Sequence, residues 1–180
     1  TTSQAANQIA LSLASLTFMF AMGLSVTAMI RVANHKGLDD YKKLNTVAHS
    51  IFLMAIIVEI VFAVVFMLGC QFFPAFFVNS EMALNATEIK EVLSISSKLL
   101  IVAAFFQISD GIQVVVLGAL RGLQDVKVPM YLTFIAYWIV GFPISIYLGL
   151  YTNLKAEGVW IGLLAGLTAA AIMLYFRFRF

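Results

Sequence analysis

Five long apolar runs limit what this chain can fold into. They cover approximately residues 5–30, 47–73, 92–120, 128–150 and 158–176. Each is long enough to cross a bilayer as a helix, which takes about 17–25 residues. In lipid every backbone amide and carbonyl must find its partner within the protein, so only helices and closed barrels span. A barrel strand needs about 9–11 residues, and these runs are far longer. The predicted fold class is therefore all-α: a polytopic transmembrane helix bundle of about five spans. The chain is 62% hydrophobic and only 11% charged, whereas a soluble domain carries about 25% charged residues. This excludes the soluble classes, and no nucleic-acid partner is expected.

The few charges are sorted by position. Arg31, Lys36, Lys42 and Lys43 follow the first run, Arg121 and Lys127 follow the third, and Arg177 and Arg179 follow the fifth. All fall on one side of the predicted membrane. Lys90, Lys98 and Lys155 fall on the other, beside Glu81, Glu88, Glu91 and Glu157. The positive-inside rule makes the first side cytoplasmic. The expectation is a multi-pass protein of the cytoplasmic (inner) membrane, with the N-terminus of this chain outside and its C-terminus inside. It opens on TTSQAANQ with neither Met nor a signal-peptide pattern, and is read as part of a longer protein.

Two acids interrupt the apolar runs. Arg121 lies about 11 residues beyond Asp110, roughly 16 Å along a helix. Half of a ~30 Å hydrocarbon core is about 15 Å. With Arg121 at the surface, Asp110 lies near the midplane, where an acid costs about 2.5–3.5 kcal/mol on insertion scales. A cavity, a cation or a proton is needed to compensate it. Gln107 and Gln113 stand three residues to either side, and Phe106 and Val114 flank them. The three polar residues form a stripe on the third helix. It reads either as an inter-helix hydrogen-bond cluster or as a cavity-facing site for a cation or proton. Glu59 is a second intramembrane acid, about 12 residues inside the second run, with apolar neighbours at helical spacing. Its role is left open between structure and function. In the first run Gln8, Ser12 and Ser15 fall at i, i+4 and i+7. They either bond locally, as hydroxyls in membrane helices usually do, or line the same cavity.

The remaining signals are structural. Gly37 and Gly122 are read as turn formers, with Pro129 restarting a helix near its first position. Pro143 is expected to kink the fourth span. Gly158, Gly162 and Gly166 recur at steps of four and predict close helix packing. Cys70 is the chain's lone cysteine and is read as a small apolar filler, with no disulfide or metal framework. Asn85-Ala86-Thr87 fits a glycosylation sequon, a pattern common by chance. No HExxH or GxSxG occurs, so no enzyme, no metal site and no cofactor is expected.

Four stretches together resemble the multidrug and toxic compound extrusion (MATE) family, NorM branch. Ala5-Ala6-Asn7-Gln8-Ile9-Ala10-Leu11 is similar to the AAHQVAL opening of its eighth helix. Gln107-Ile108-Ser109-Asp110-Gly111-Ile112-Gln113 is similar to the QxxDAxQ segment of its tenth. Gly118-Ala119-Leu120-Arg121-Gly122, with Lys127-Val128-Pro129-Met130, is similar to GALRGxxDxxxPM. Tyr137-Trp138 and Gly141-Phe142-Pro143 are similar to YWxxGxP.

The resemblance implies helices eight to twelve of a twelve-helix antiporter, the partial C-terminal lobe. The first lobe and helix seven of the same protein, the latter bearing a partner acid, would complete it. It implies export of cationic or amphipathic small molecules across the bilayer in exchange for Na⁺ or H⁺, with Asp110 as the coupling carboxylate. Gln107 and Gln113 match polar positions beside it. Some members carry Tyr where Phe106 stands here, which removes one oxygen ligand for Na⁺. Glu59 has no counterpart in the pattern. Two other readings compete. A lipid-linked sugar flippase of the same superfamily would need a basic cavity, yet no Lys or Arg lies inside a span. A non-transporting membrane scaffold subunit would bury Asp110 against a helix with no cavity.

Overall fold

A computed structural model describes residues 2–69, 72–73, 86–152 and 156–179. Cys70, Glu81, Asn85 of the sequon and Lys155 lie outside the described residues. The helices are α1 (Thr2–Gly37), α2 (Tyr41–Gly69), α3 (Ala86–Gly122), α4 (Lys127–Ile135), a π-helical segment (Ala136–Gly141), α5 (Phe142–Leu150) and α6 (Ala156–Arg179). Because α4, the π segment and α5 form one rod over Lys127–Leu150, five helices among the described residues are long and apolar enough to cross a membrane. The chain is a multi-pass membrane protein.

The bundle is organised around α3, which packs against α1, α2 and α6. The buried face of α1 reads Ala10, Leu13, Thr17, Ala21, Ser25, Ala28 and Val32. These positions recur every three or four residues, and most are small, so α3 can approach closely. The approach reaches backbone contact. A Cβ on Gly118 would collide with the Ser25 carbonyl, and one on Gly122 would lie 2.5 Å from the Met29 carbonyl oxygen. Ser25 Oγ also donates to the Val114 carbonyl at 2.8 Å. Large side chains such as Leu16, Met19, Phe20, Ile57 and Val61 point outward, as lipid permits.

Gly122 is therefore a packing residue, and the turn after α3 is made two positions later. Gln124 takes the positive φ of 62°. Its amide donates to the Arg121 carbonyl, and the Asp125 amide to that of Leu120. The end of α1 repeats this double closure: Asp39 has φ 54°, with Asp39 N–H donating to Lys36 O and Asp40 N–H to His35 O. Both are Schellman-type ends in which a polar residue occupies the left-handed position usually given to glycine. Gly37 is simply the last residue of α1. Asp40 then caps α2, accepting the Lys43 amide at 3.1 Å and facing Lys43 Nζ at 3.2 Å. The Lys43 amide, together with its ammonium, holds the Asp40 carboxyl below its usual range.

Pro129 sits third in α4, within the first turn, where a missing N–H goes unnoticed. Pro143 acts differently from an ordinary kink. The helix ahead of it widens into the π segment, and Phe142 N–H donates to Tyr137 O five residues back. The wider turn spares the proline ring a clash with the carbonyl four residues earlier. The glycine ladder of α6 packs on this rod. Gly162 meets the Ser145 backbone, a Gly158 Cβ would lie 2.5 Å from Leu148 O, and a Gly166 Cβ 2.9 Å from the Gly141 Cα.

Candidate functional site

Two apolar clusters are stacked along the bundle. The first joins Ala10 and Leu13 of α1, Ala63 and Phe66 of α2, and Leu99, Leu100, Ala103 and Ala104 of α3, with Trp160. The second joins Ala28 and Val32 of α1, residues Leu44 to Ala55 of α2, and Val115 to Leu120 of α3, with Leu174 and Phe178. On each of the three helices the interval between clusters carries the polar residues: Thr17 on α1, Glu59 on α2, and Gln107 and Asp110 on α3. A polar layer thus lies partway along the bundle, with an apolar cluster on either side.

These residues surround one small cavity, lined by Ala14, Thr17, Phe18, Ala21, Glu59, Phe106, Gln107, Asp110 and Gly111, with a volume of about 10 Å³. That is about the space of one water molecule. Asp110 is half-buried, while Glu59 is only 1% exposed. Among the described residues Glu59 Oε2 and Gln107 Oε1 are buried oxygens without a hydrogen-bond partner. Gln107 Nε2 donates to the Glu59 carbonyl at a long 3.4 Å, and Thr17 Oγ1 donates to Ala14 O at 2.9 Å. The Thr17 hydroxyl hydrogen is thus committed to backbone, and Glu59 Oε2 and Gln107 Oε1 remain as unpartnered oxygen acceptors beside the cavity. Gly111 makes the arrangement possible: a Cβ there would lie 2.6 Å from Glu59 Cγ and 2.7 Å from Oε1.

Of the candidates, the structure brings Phe106, Gln107, Asp110 and Glu59 together at the cavity. Phe106 contributes its ring, which also meets Trp160 edge-on at 5.4 Å between centroids. Gln113 is buried elsewhere, accepting from the Tyr137 hydroxyl at 2.9 Å. The helix explains the split. Three residues advance about 300°, so positions three before and three after Asp110 diverge by about 120°. One amide turns to α2 and the other to the π segment. Gln8 is exposed and Ser12 half-exposed, and Ser15 Oγ donates to Ser12 O at 2.8 Å. Gln8 and Ser12 lie nearer the N-terminus than the α1 cavity wall, which begins at Ala14, and Ser15 is exposed. The sequence alone did not point to Thr17 and Gly111, nor to Ala14, Phe18 and Ala21, which also line the cavity. Among the described residues no group of three or more His, Cys, Asp or Glu could hold a metal ion.

The MatE family model matches residues 1–147. The chain belongs to the MatE family. It is 39% identical over 175 residues to a protein named probable multidrug resistance protein NorM from Xylella fastidiosa (strain 9a5c), covering 97% of this chain and 35% of that relative. It is 36% identical over 182 residues to multidrug resistance protein MdtK from Yersinia pseudotuberculosis serotype O:1b (strain IP 31758), covering 97% of this chain and 37% of the relative. The chain thus spans little more than a third of the length of the curated relatives it matches. The crystal structure of the eukaryotic MATE transporter AtDTX14 superimposes with a TM-score of 0.87 at 20% identity, over 99% of this chain and 38% of that one. The MATE fold is thereby shown for the described bundle.

Proposed function

We propose that this MatE chain forms part of the second lobe of a multidrug efflux antiporter. It exports cationic or amphipathic compounds across the cytoplasmic membrane in exchange for Na⁺ or H⁺, and Asp110 binds the coupling ion. The observation that carries the reading is the position of Asp110 in a cavity-lining polar layer between two apolar clusters. An acid at such depth is retained where a positive species visits it. A purely structural scaffold would have packed Asp110 against a neighbouring helix with no space beside it. A flippase site for pyrophosphate would need cations, and neither Lys nor Arg is among the described residues that line the cavity.

The cavity is far too small for an organic cation, so ion and drug exclude one another without sharing its volume. Ion binding neutralises the layer and draws α1, α2 and α3 together. The drug prefers the ion-free arrangement, and the coupling is reciprocal. Rocking of this lobe against a first lobe, the alternating-access scheme of repeat-built transporters, then exposes the layer to either side. The eight basic residues at the joined ends of α1–α2, α3–α4 and α6 favour a cytoplasmic location for that end. There Arg177 Nε meets Asp125 Oδ2 at 2.8 Å and Lys36 Nζ donates to Leu123 O. The test is ion-driven efflux of a cationic dye by the full-length protein in proteoliposomes. Asp110→Asn should reduce efflux to the empty-liposome background, and wild-type efflux would remove Asp110 from the mechanism.

A further inference from the structure

Glu59 is the second acid of the polar layer, and it is among the most deeply buried groups in the molecule. Its side chain is 1% exposed, and Oε2 has no partner among the described residues. An isolated buried carboxylate is costly unless something positive reaches it. A second, chemically different group has the same deficit. Gln107 is 4% exposed, and its Oε1 is likewise without a partner. Both residues line the cavity that Asp110 lines. Thr17 has spent its hydrogen on Ala14 O. The polar part of the wall therefore presents oxygen acceptors to a gap about one water molecule in size.

We propose that Glu59 is a second ion-binding carboxylate: with Asp110, and with Gln107 Oε1 as a neutral ligand, it holds one monovalent positive species in the cavity between α1, α2 and α3. The chemistry specified is a hard, oxygen-preferring charge, either a proton shared by the two carboxyls or an alkali cation between them. The inference rests on Asp110 being the coupling residue. Two carboxylates facing one gap titrate and bind as a pair, so the pair, and not either acid alone, sets the ion affinity. Among the described cavity-lining residues, Asp110 of α3 is the ionisable group that faces Glu59, while α1 contributes Ala14, Thr17, Phe18 and Ala21. On the other side of α3, the Tyr137 hydroxyl donates to Gln113 Oε1. Gly111 is the device that admits the second acid, since any Cβ there would occupy the space of its side chain.

The test uses the full-length protein in detergent, with two readouts: equilibrium binding of radiolabelled sodium, and protons released when a cationic dye is added. In the wild type one of the two is present and identifies the ion. Glu59→Gln keeps the size of the side chain and removes the charge. It should weaken sodium binding by about 10-fold to 100-fold, or, in the proton case, shift the pH midpoint of dye-linked proton release. Glu59→Asp should fall between wild type and Glu59→Gln. Adding Glu59→Gln to Asp110→Asn should cost little more than Asp110→Asn alone. If Glu59→Gln retains wild-type affinity and pH midpoint while Asp110→Asn loses both, Glu59 is structural and the proposal falls, with the antiporter reading intact. If Glu59→Gln does not fold, Glu59→Asp carries the test, and wild-type values in that variant overturn the proposal. Wild-type values in Asp110→Asn overturn both readings together.

Discussion

Glycine meets backbone along the seam between α6 and the rod of α4, the π segment and α5. Between α3 and α2, at Gly111, glycine meets a carboxylic side chain. In the first seam Gly162 closes on the Ser145 backbone and Gly166 on Gly141, and Ser145 Oγ donates to Val159 O at 3.3 Å. Among the described residues no carboxylate meets a glycine of this seam. In the second, the missing Cβ of Gly111 leaves room for Glu59, and a small acidic cavity results. The same residue type thus builds a tight joint in one place and an ion-sized space in the other. What separates them is whether the opposing atom is rigid backbone or the end of a side chain.

That difference can be broken from either side. The largest effect on stability is expected at the backbone seam. Gly162→Leu forces a side chain into the Ser145 backbone, which cannot move aside, and overpacking of this kind costs about 1–3 kcal/mol or more. Thermal unfolding of the purified full-length protein should show the loss, while any surviving folded protein keeps wild-type ion affinity. Gly111→Ala should show the reverse balance. Its Cβ meets the Glu59 side chain, which can rotate, so the stability cost stays under about 1.5 kcal/mol. Ion affinity should nevertheless fall, because the carboxyl leaves its place. Equal losses in both variants, with no ion-specific loss in Gly111→Ala, would erase the distinction. The smallest effect is expected for Ser25→Ala. It removes the hydrogen bond to Val114 O but leaves the glycine contact at Gly118, and such inter-helix bonds average about 0.6 kcal/mol. Denaturant unfolding would detect it, with no change in ion binding.

Much of the fold was legible because lipid imposes length and hydrophobicity directly. The predicted number of spans, five, matches the number of long apolar helices among the described residues, and the α6 glycine ladder packs as its four-residue period predicts. The turns were less legible. Gly37 and Gly122 looked like breakers, yet the left-handed positions went to Asp39 and Gln124, because Gly122 is used for approach to Met29 O. Local sequence does not say which of a glycine's two uses is taken. The site divides in the same way. Asp110 and Gln107 could be placed by depth and periodicity along one helix. The nearness of Glu59 depends on the register of α2 against α3, which no pattern within either helix fixes. One signal was present: Gly111 stands where the resembled QxxDAxQ pattern has alanine, and losing that methyl is what lets Glu59 in. Gln8 and Ser12 shared a stripe, but the α1–α3 contact puts Thr17 at the cavity.

In the proposed antiport, positive charge bound at the polar layer competes with drug. Competition binding on the purified full-length protein measures it directly: a cationic dye is bound, and the coupling ion is titrated in. Wild type should release the dye as the ion saturates, and Asp110→Asn should bind dye with no response to the ion. An unchanged ion titration in Asp110→Asn would contradict the account.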